Sequence, residues 1–142
     1  EADSNYMVFP QPGSVIPVHS SSLGKVLLAY MSDSRRDRIL DSCDFSKFTD
    51  RTITSKKDFI MELERVKKTG VGFDTEETVD GLSCIAGPVF NNNGVCIASV
   101  SLSGNAFRIE SKRDEIINAV KYVGSRISEQ MGYRAGTSII KK

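Results

Sequence analysis

From Ser22 onward the apolar residues Leu23, Val26, Leu27, Tyr30 and Met31 recur at three- and four-residue spacing, which predicts a helix over 22–31. The stretch before it carries Pro10, Pro12, Gly13 and Pro17 and cannot hold regular structure; it separates the helix from "NYMVF" (5–9), whose composition predicts a strand. "DSRRDRILDSC" reads as a second short helix under Ile39 and Leu40. Its Arg35, Arg36 and Arg38 are interleaved with Asp33, Asp37 and Asp41, a pattern that suits a solvated face better than a basic patch. Ser55 and Asp58 form a capping box ahead of Phe59, Ile60, Leu63 and Val66. Arg65, Lys67 and Lys68 then suit the negative end of a helix that stops at Gly70.

Beyond Gly70 the period shortens from helical to alternating. "VGFDTEE" (71–77), "LSCIAGPVF" (82–90) and "VCIASVSLS" (95–103) read as strands, and Asn91-Asn92-Asn93-Gly94 supplies the positive-φ residues of a hairpin, so the last two strands should pair antiparallel. Ser111 with Asp114 is expected to cap one long final helix with the stripe Ile116, Val120, Val123, Ile127 and Met131, ended by Gly132. The tail "GTSIIKK" is expected to be loosely held. Helices before and after an antiparallel meander predict an α+β domain, an antiparallel sheet flanked by helices, rather than an alternating doubly wound fold.

Composition narrows the function classes. A chain of 142 residues suits one domain, and 39% hydrophobic with 26% charged residues is ordinary for a globular protein. The net charge of +1 supplies no basic stripe of the kind that binds DNA through its phosphates. The longest apolar run, "GLSCIAGPVF", falls far short of the roughly 20 residues that cross a bilayer, and no signal peptide opens the chain. Cys43, Cys84 and Cys96 lack CxxC spacing and have only His19 for company, which argues against a zinc site and a secreted disulfide framework; the cytoplasm is the expected compartment. No metal or cofactor is indicated. The start at Glu1 rather than Met points to a fragment.

Candidate chemistry begins in "PVHSSSLGKVLLAY" (17–30). Gly24-Lys25 invites a phosphate-loop reading, but that motif needs a glycine five residues earlier and a hydroxyl after the lysine, where this chain has His19 and Val26. Two readings remain. Ser20, Ser21 or Ser22 is simply an N-cap, with Lys25 an exposed and incidental first-turn residue; or the free first-turn amides receive a small carboxylate. Alternation puts Leu82, Cys84 and Ala86 on one face of their strand, and Ser99, Ser101 and Ser103 on one face opposite Val100 and Leu102. The three hydroxyls either face water, bind one another and the backbone, or line a polar pocket. Asp74 sits mid-strand, where burial without a donor is costly. Cys84 reads as a small core residue; as a nucleophile it would have no base except His19.

The run 74–104, "DTEETVDGLSCIAGPVFNNNGVCIASVSLSG", together with "HSSSLGKVLLAY" (19–30) and "FTDRTIT" (48–54), resembles the effector-binding domain of the IclR family of bacterial transcription regulators. The resemblance covers most of residues 5–134 and rests on Glu76-Glu77, Gly81, "CIAGPV", Gly94 and the two serines before Gly104. It implies a GAF-like domain over 1–134, missing some upstream sheet, followed by a tail over 135–142. It also implies a ligand-sensing role rather than an enzymatic one: a small keto, hydroxy or sugar acid binds, and operator DNA is contacted only through an N-terminal winged helix-turn-helix absent from this chain, in a homodimer or homotetramer. The family's ligand contacts fall on Ser22 and Leu23, Asp74, Leu82 and Cys84, and Ser101 and Ser103. Asn105 departs from the proline usual after the "SxSG" element, which leaves the following loop open. Rival readings are an enzyme working a small acid through Cys84 or Asp74, and an oligomerisation domain that buries the serine face.

Overall fold

A computed structural model describes residues 11–136; the strand expected at 5–9 and most of the tail lie outside the described residues. Three helices come first: α1 (Ser22–Ala29), α2 (Asp33–Asp41) and α3 (Lys56–Thr69). Of the three candidate serines, Ser21 is the N-cap of α1, its side chain accepting from the Gly24 amide at 3.3 Å. Ser55 caps α3 by accepting from the Asp58 amide at 3.1 Å, and Gly70 ends it with a left-handed φ of 78°. On α2, Arg36 pairs with Asp33 and Asp37, as a solvated face requires.

Strands β1 (Gly72–Thr75), β2 (Leu82–Phe90) and β3 (Cys96–Asn105) follow in an antiparallel sheet of order β1-β2-β3. The Asn91–Gly94 turn joins β2 to β3, with Gly94 at φ 72°. Because side chains alternate along a strand, Gly72, Asp74, Leu82, Cys84 and Ala86 share one face, and Phe73, Thr75, Ser83 and Ile85 share the other. The first face packs on α1 and α3, where Val26, Leu28, Phe59, Leu63 and Val66 cluster with Ala86. The second packs on α4 (Ala106–Ser111) and α5 (Arg113–Gln130) through Ile85, Ile109, Ile116 and Val120. The sheet is therefore the middle of three layers, and each fully buried Val, Leu or Phe in the outer two contributes about 1.5–3 kcal/mol.

The C-terminal segment departs from expectation. There are two helices rather than one: the Asn105 side chain accepts from the amides of Phe107 and Arg108 and so starts α4, an element the apolar pattern misses because it is only six residues long. The expected Ser111–Asp114 box does not form; Lys112 occupies the N-cap of α5 without a side-chain bond, and the Ser111 hydroxyl donates to the Arg108 carbonyl. The buried face of α5 is Ile116, Val120, Gly124 and Ser128, while Val123 and Met131 are exposed. Close approach decides this rotation. A Cβ on Gly124 would come within 2.6 Å of the Pro88 carbonyl oxygen, so only glycine allows the helix so near β2. Four residues on, the Ser128 hydroxyl accepts from the Phe90 amide at 2.8 Å beside a β-bulge and donates to the Gly124 carbonyl. Among the described residues no helix is long and apolar enough to cross a membrane.

Candidate functional site

The register places Asp74 of β1, Cys84 of β2 and Ser103 of β3 side by side on the face toward α1, with Ser101 opposite Ala86 and Leu82 opposite Asn105. The start of α1 lies on the same face. A Cβ on Gly72 would meet the Ser22 carbonyl oxygen at 2.7 Å, and the Ser99 hydroxyl donates to the Leu23 carbonyl at 3.2 Å. All seven residues singled out in the sequence, Ser22, Leu23, Asp74, Leu82, Cys84, Ser101 and Ser103, thus belong to one face of the sheet and the helix that covers part of it. The α-helical ladder begins with the Lys25 amide bonding the Ser21 carbonyl, and the cap reaches Gly24, so the amides of Ser22 and Leu23 stand ahead of both. The serine row has mixed roles: Ser99 bonds backbone, Ser101 is half-buried and Ser103 is exposed.

Asp74 is only 4% exposed, and its buried carboxylate finds donors in the turn that follows β1. The Glu77 amide donates to Oδ1 at 2.8 Å, and the Thr78 hydroxyl lies 3.3 Å from Oδ2 and within 3.1 Å of both the Ser20 hydroxyl and its carbonyl. The Glu77 and Thr78 amides and the Thr78 hydroxyl are thus the donors around the carboxylate, which keeps lone-pair capacity for a further donor. Burial pushes the Asp74 carboxyl above the usual carboxylate range, against the pull of the Glu77 amide and the Lys25 charge.

Lys25 overturns the sequence reading. It is 0% exposed, not an exposed first-turn residue, and its ammonium donates to Glu77 Oε1 and Oε2 at 2.6 and 2.8 Å and to the Phe73 carbonyl at 2.7 Å, with Glu62 at 3.5 Å. Glu62 is shared with Arg65, whose guanidinium lies over the Phe73 ring. Burial pushes the Glu62 carboxyl up, yet Arg65 and Lys25 outweigh it and hold the group below its ordinary value. Spacing along the chain gave no sign of this cluster, because Glu77 and Phe73 lie 52 and 48 residues from Lys25. The acidic pair Glu76-Glu77 was the one available signal.

The cysteines and the histidine sort differently from the enzyme reading. His19 Nε2 donates to the Ser46 carbonyl at 2.9 Å, which leaves Nδ1 facing Cys43 at 3.7 Å. Cys84 bonds Ser103, and burial pushes its thiol up, away from the thiolate a nucleophile needs. A cavity of about 530 Å³ opens on the other face of the sheet, between Phe73, Thr75, Ser83, Ile109 and Arg113, and Asp74 and Cys84 also line it.

The family model described as "Bacterial transcriptional regulator IclR C-terminal" matches residues 1–129. This chain belongs to the IclR family. The HTH-type transcriptional regulator KdgR of Escherichia coli is 37% identical over 130 residues, covering 91% of this chain and 49% of KdgR. The chain spans about half the length of the curated IclR-family relatives it matches. The crystal structure of the C-terminal domain of E. coli KdgR superposes with a TM-score of 0.78 at 39% identity, over 82% of this chain and 72% of that one. The inducer-binding domain of PobR from Acinetobacter, a double mutant in complex with 3-hydroxybenzoic acid, gives a TM-score of 0.74 at 25% identity, over 80% of this chain and 66% of that domain's chain. IclR C-terminal domains are GAF-like, and the helix–sheet–helix layering described above is that fold.

Proposed function

We propose that this domain senses a small organic acid (keto, hydroxy or sugar acid) and that binding controls the operator affinity of an N-terminal winged helix-turn-helix in a cytoplasmic homodimer or homotetramer. The observation that carries the reading is the row Asp74–Cys84–Ser103 on the face where α1 begins. A ligand carboxylate accepts from the amides of Ser22 and Leu23 and from the Ser101 or Ser103 hydroxyl, each charge-assisted bond being worth about 1.5–3 kcal/mol. Asp74 repels a second carboxylate, so its unengaged lone pairs accept from a ligand hydroxyl or hydrated carbonyl instead. Leu82 and Cys84 form the apolar wall that limits ligand size. PobR, crystallised with a hydroxy acid, supports the ligand class. Sensing requires only that the acid prefer one arrangement of the whole regulator, a coupling of about 1–3 kcal/mol.

A thermal-shift series with pyruvate, glycerate, gluconate and 3-hydroxybenzoate tests the reading. At a hundred times its Kd, a true ligand adds about 2.7 kcal/mol of stability. At least one acid should raise the melting temperature of the wild type, with the shift reduced in Ser101→Ala and in Asp74→Asn. No shift with any acid counts against the sensor, and shifts that survive both substitutions count against this face.

A further inference from the structure

We propose, building on that reading of the site, that Lys25 is its positioning residue: through Glu77 it fixes the turn that clamps Asp74 beside the start of α1. The buried ammonium ties together three elements, α1 from which it projects, β1 through the Phe73 carbonyl, and the turn after β1 through both Glu77 oxygens. Glu62 of α3 stands at 3.5 Å as a fourth, looser contact. The residue whose carboxylate Lys25 holds is the residue whose amide holds Asp74 Oδ1, and the next residue, Thr78, links Asp74 Oδ2 to Ser20 just ahead of the α1 cap. Lys25, Glu77, Asp74, Thr78 and Ser20 therefore form one chain of contacts that runs from α1 through the turn and back to the residue just ahead of the α1 cap.

Two further features place the purpose of this chain in geometry. Glu76 sits at φ +56°, a left-handed conformation that a residue with a side chain keeps only where its surroundings impose it. Its carboxylate accepts from the Gly81 amide at 2.8 Å, which closes the far side of the same turn. A buried ion pair adds little to stability over a well-packed apolar pair, whereas it demands one arrangement of its partners. The titratable groups that face Asp74 are Lys25 from α1, Glu77 from the turn and the Cys84 thiol opposite it on β2, with Glu62 and Arg65 of α3 behind Lys25. Removing the lysine charge takes away the cation that favours ionised Asp74.

The test uses Lys25→Met and the double variant Lys25→Met/Glu77→Gln, which also neutralises the carboxylate that Lys25 leaves without its partner, should the single variant fail to fold. Carbon-detected NMR titration of the Asp74 carboxyl and hydrogen exchange at the residue 77 amide need no ligand. Asp74 should titrate at higher pH in Lys25→Met. The residue 77 amide should exchange at least tenfold faster in both variants, while the Gly70 amide at the end of α3 keeps its wild-type protection. Unchanged exchange at residue 77 in the double variant, or an unmoved Asp74 titration in a folded Lys25→Met, overturns the proposal. Titration with pyruvate and 3-hydroxybenzoate should show at least tenfold weaker binding in the double variant, and wild-type affinity there overturns it equally. Should the wild type bind none of the four acids, the ligand reading falls, while titration and exchange still decide the role of Lys25.

Discussion

Gly72→Ala offers a direct test of how closely β1 lies against the first turn of α1. The added Cβ would stand 2.7 Å from the Ser22 carbonyl oxygen and 3.0 Å from a Val26 methyl. Ordinary contact begins at 3.4 Å, so the oxygen is 0.7 Å too close, and it belongs to the backbone and cannot rotate away. Overpacking of this kind costs about 1–3 kcal/mol. Loss of glycine freedom in the unfolded chain offsets about 0.4–1 kcal/mol of it. The net expectation is a destabilisation of about 1–2 kcal/mol, which lowers the melting midpoint by roughly 3–10 °C for a domain of this size. Urea and thermal unfolding measure it, with Gly104→Ala on β3 as the control. There the nearest atom is a flexible Ile109 methyl at 3.4 Å, and the same substitution should be close to neutral. A Gly72→Ala variant as stable as the control, or more stable than the wild type, would refute the approach of β1 to α1. The displaced Ser22 also predicts weaker acid binding beyond the stability loss.

Other expectations follow from single contacts. Ser128→Ala leaves the Phe90 amide without its acceptor and should cost about 1–3 kcal/mol in urea unfolding. Asn105→Ala removes the cap of α4 and should cost about 1 kcal/mol, read the same way. Asp74 has a folded-state pKa raised above its ordinary 3.8, so between those values the native state holds more protons than the unfolded one and stability falls as pH rises. The difference in unfolding free energy between wild type and Asp74→Asn, followed by urea unfolding from pH 4 upward, should therefore move against the wild type until the folded-state pKa is passed and then level off.

Much of this domain was legible because its signals are local. Ser55, Asp58 and Gly70 bound α3 by contacts within three or four residues, and the Asn91–Gly94 tract sets the β2–β3 hairpin through the left-handed Gly94 and an Asn91 side chain that accepts from the amides of Asn93 and Val95. Strict alternation then assigns Asp74, Cys84, Ser101 and Ser103 to faces, and antiparallel pairing puts the assigned faces together. The orientation of α5 was not legible in the same way. Its apolar stripe points to Val123 and Met131, whereas the inward side carries Gly124 and Ser128, because nearness to the Pro88 carbonyl and a hydroxyl for the Phe90 amide outweigh hydrophobicity there.

The sequence by itself determined the α+β class, the bounds of α3, the hairpin and the face on which the candidate ligand groups lie, all of which depend on residues near one another in the chain. Only the tertiary structure decided what Lys25 does. In sequence it is a polar residue one turn into a helix, and nothing within reach along the chain offers it a partner. Folding brings Glu77 and the Phe73 carbonyl to its ammonium and buries the lysine with its carboxylate partner, where an ion pair fixes the geometry of the turn that holds Asp74.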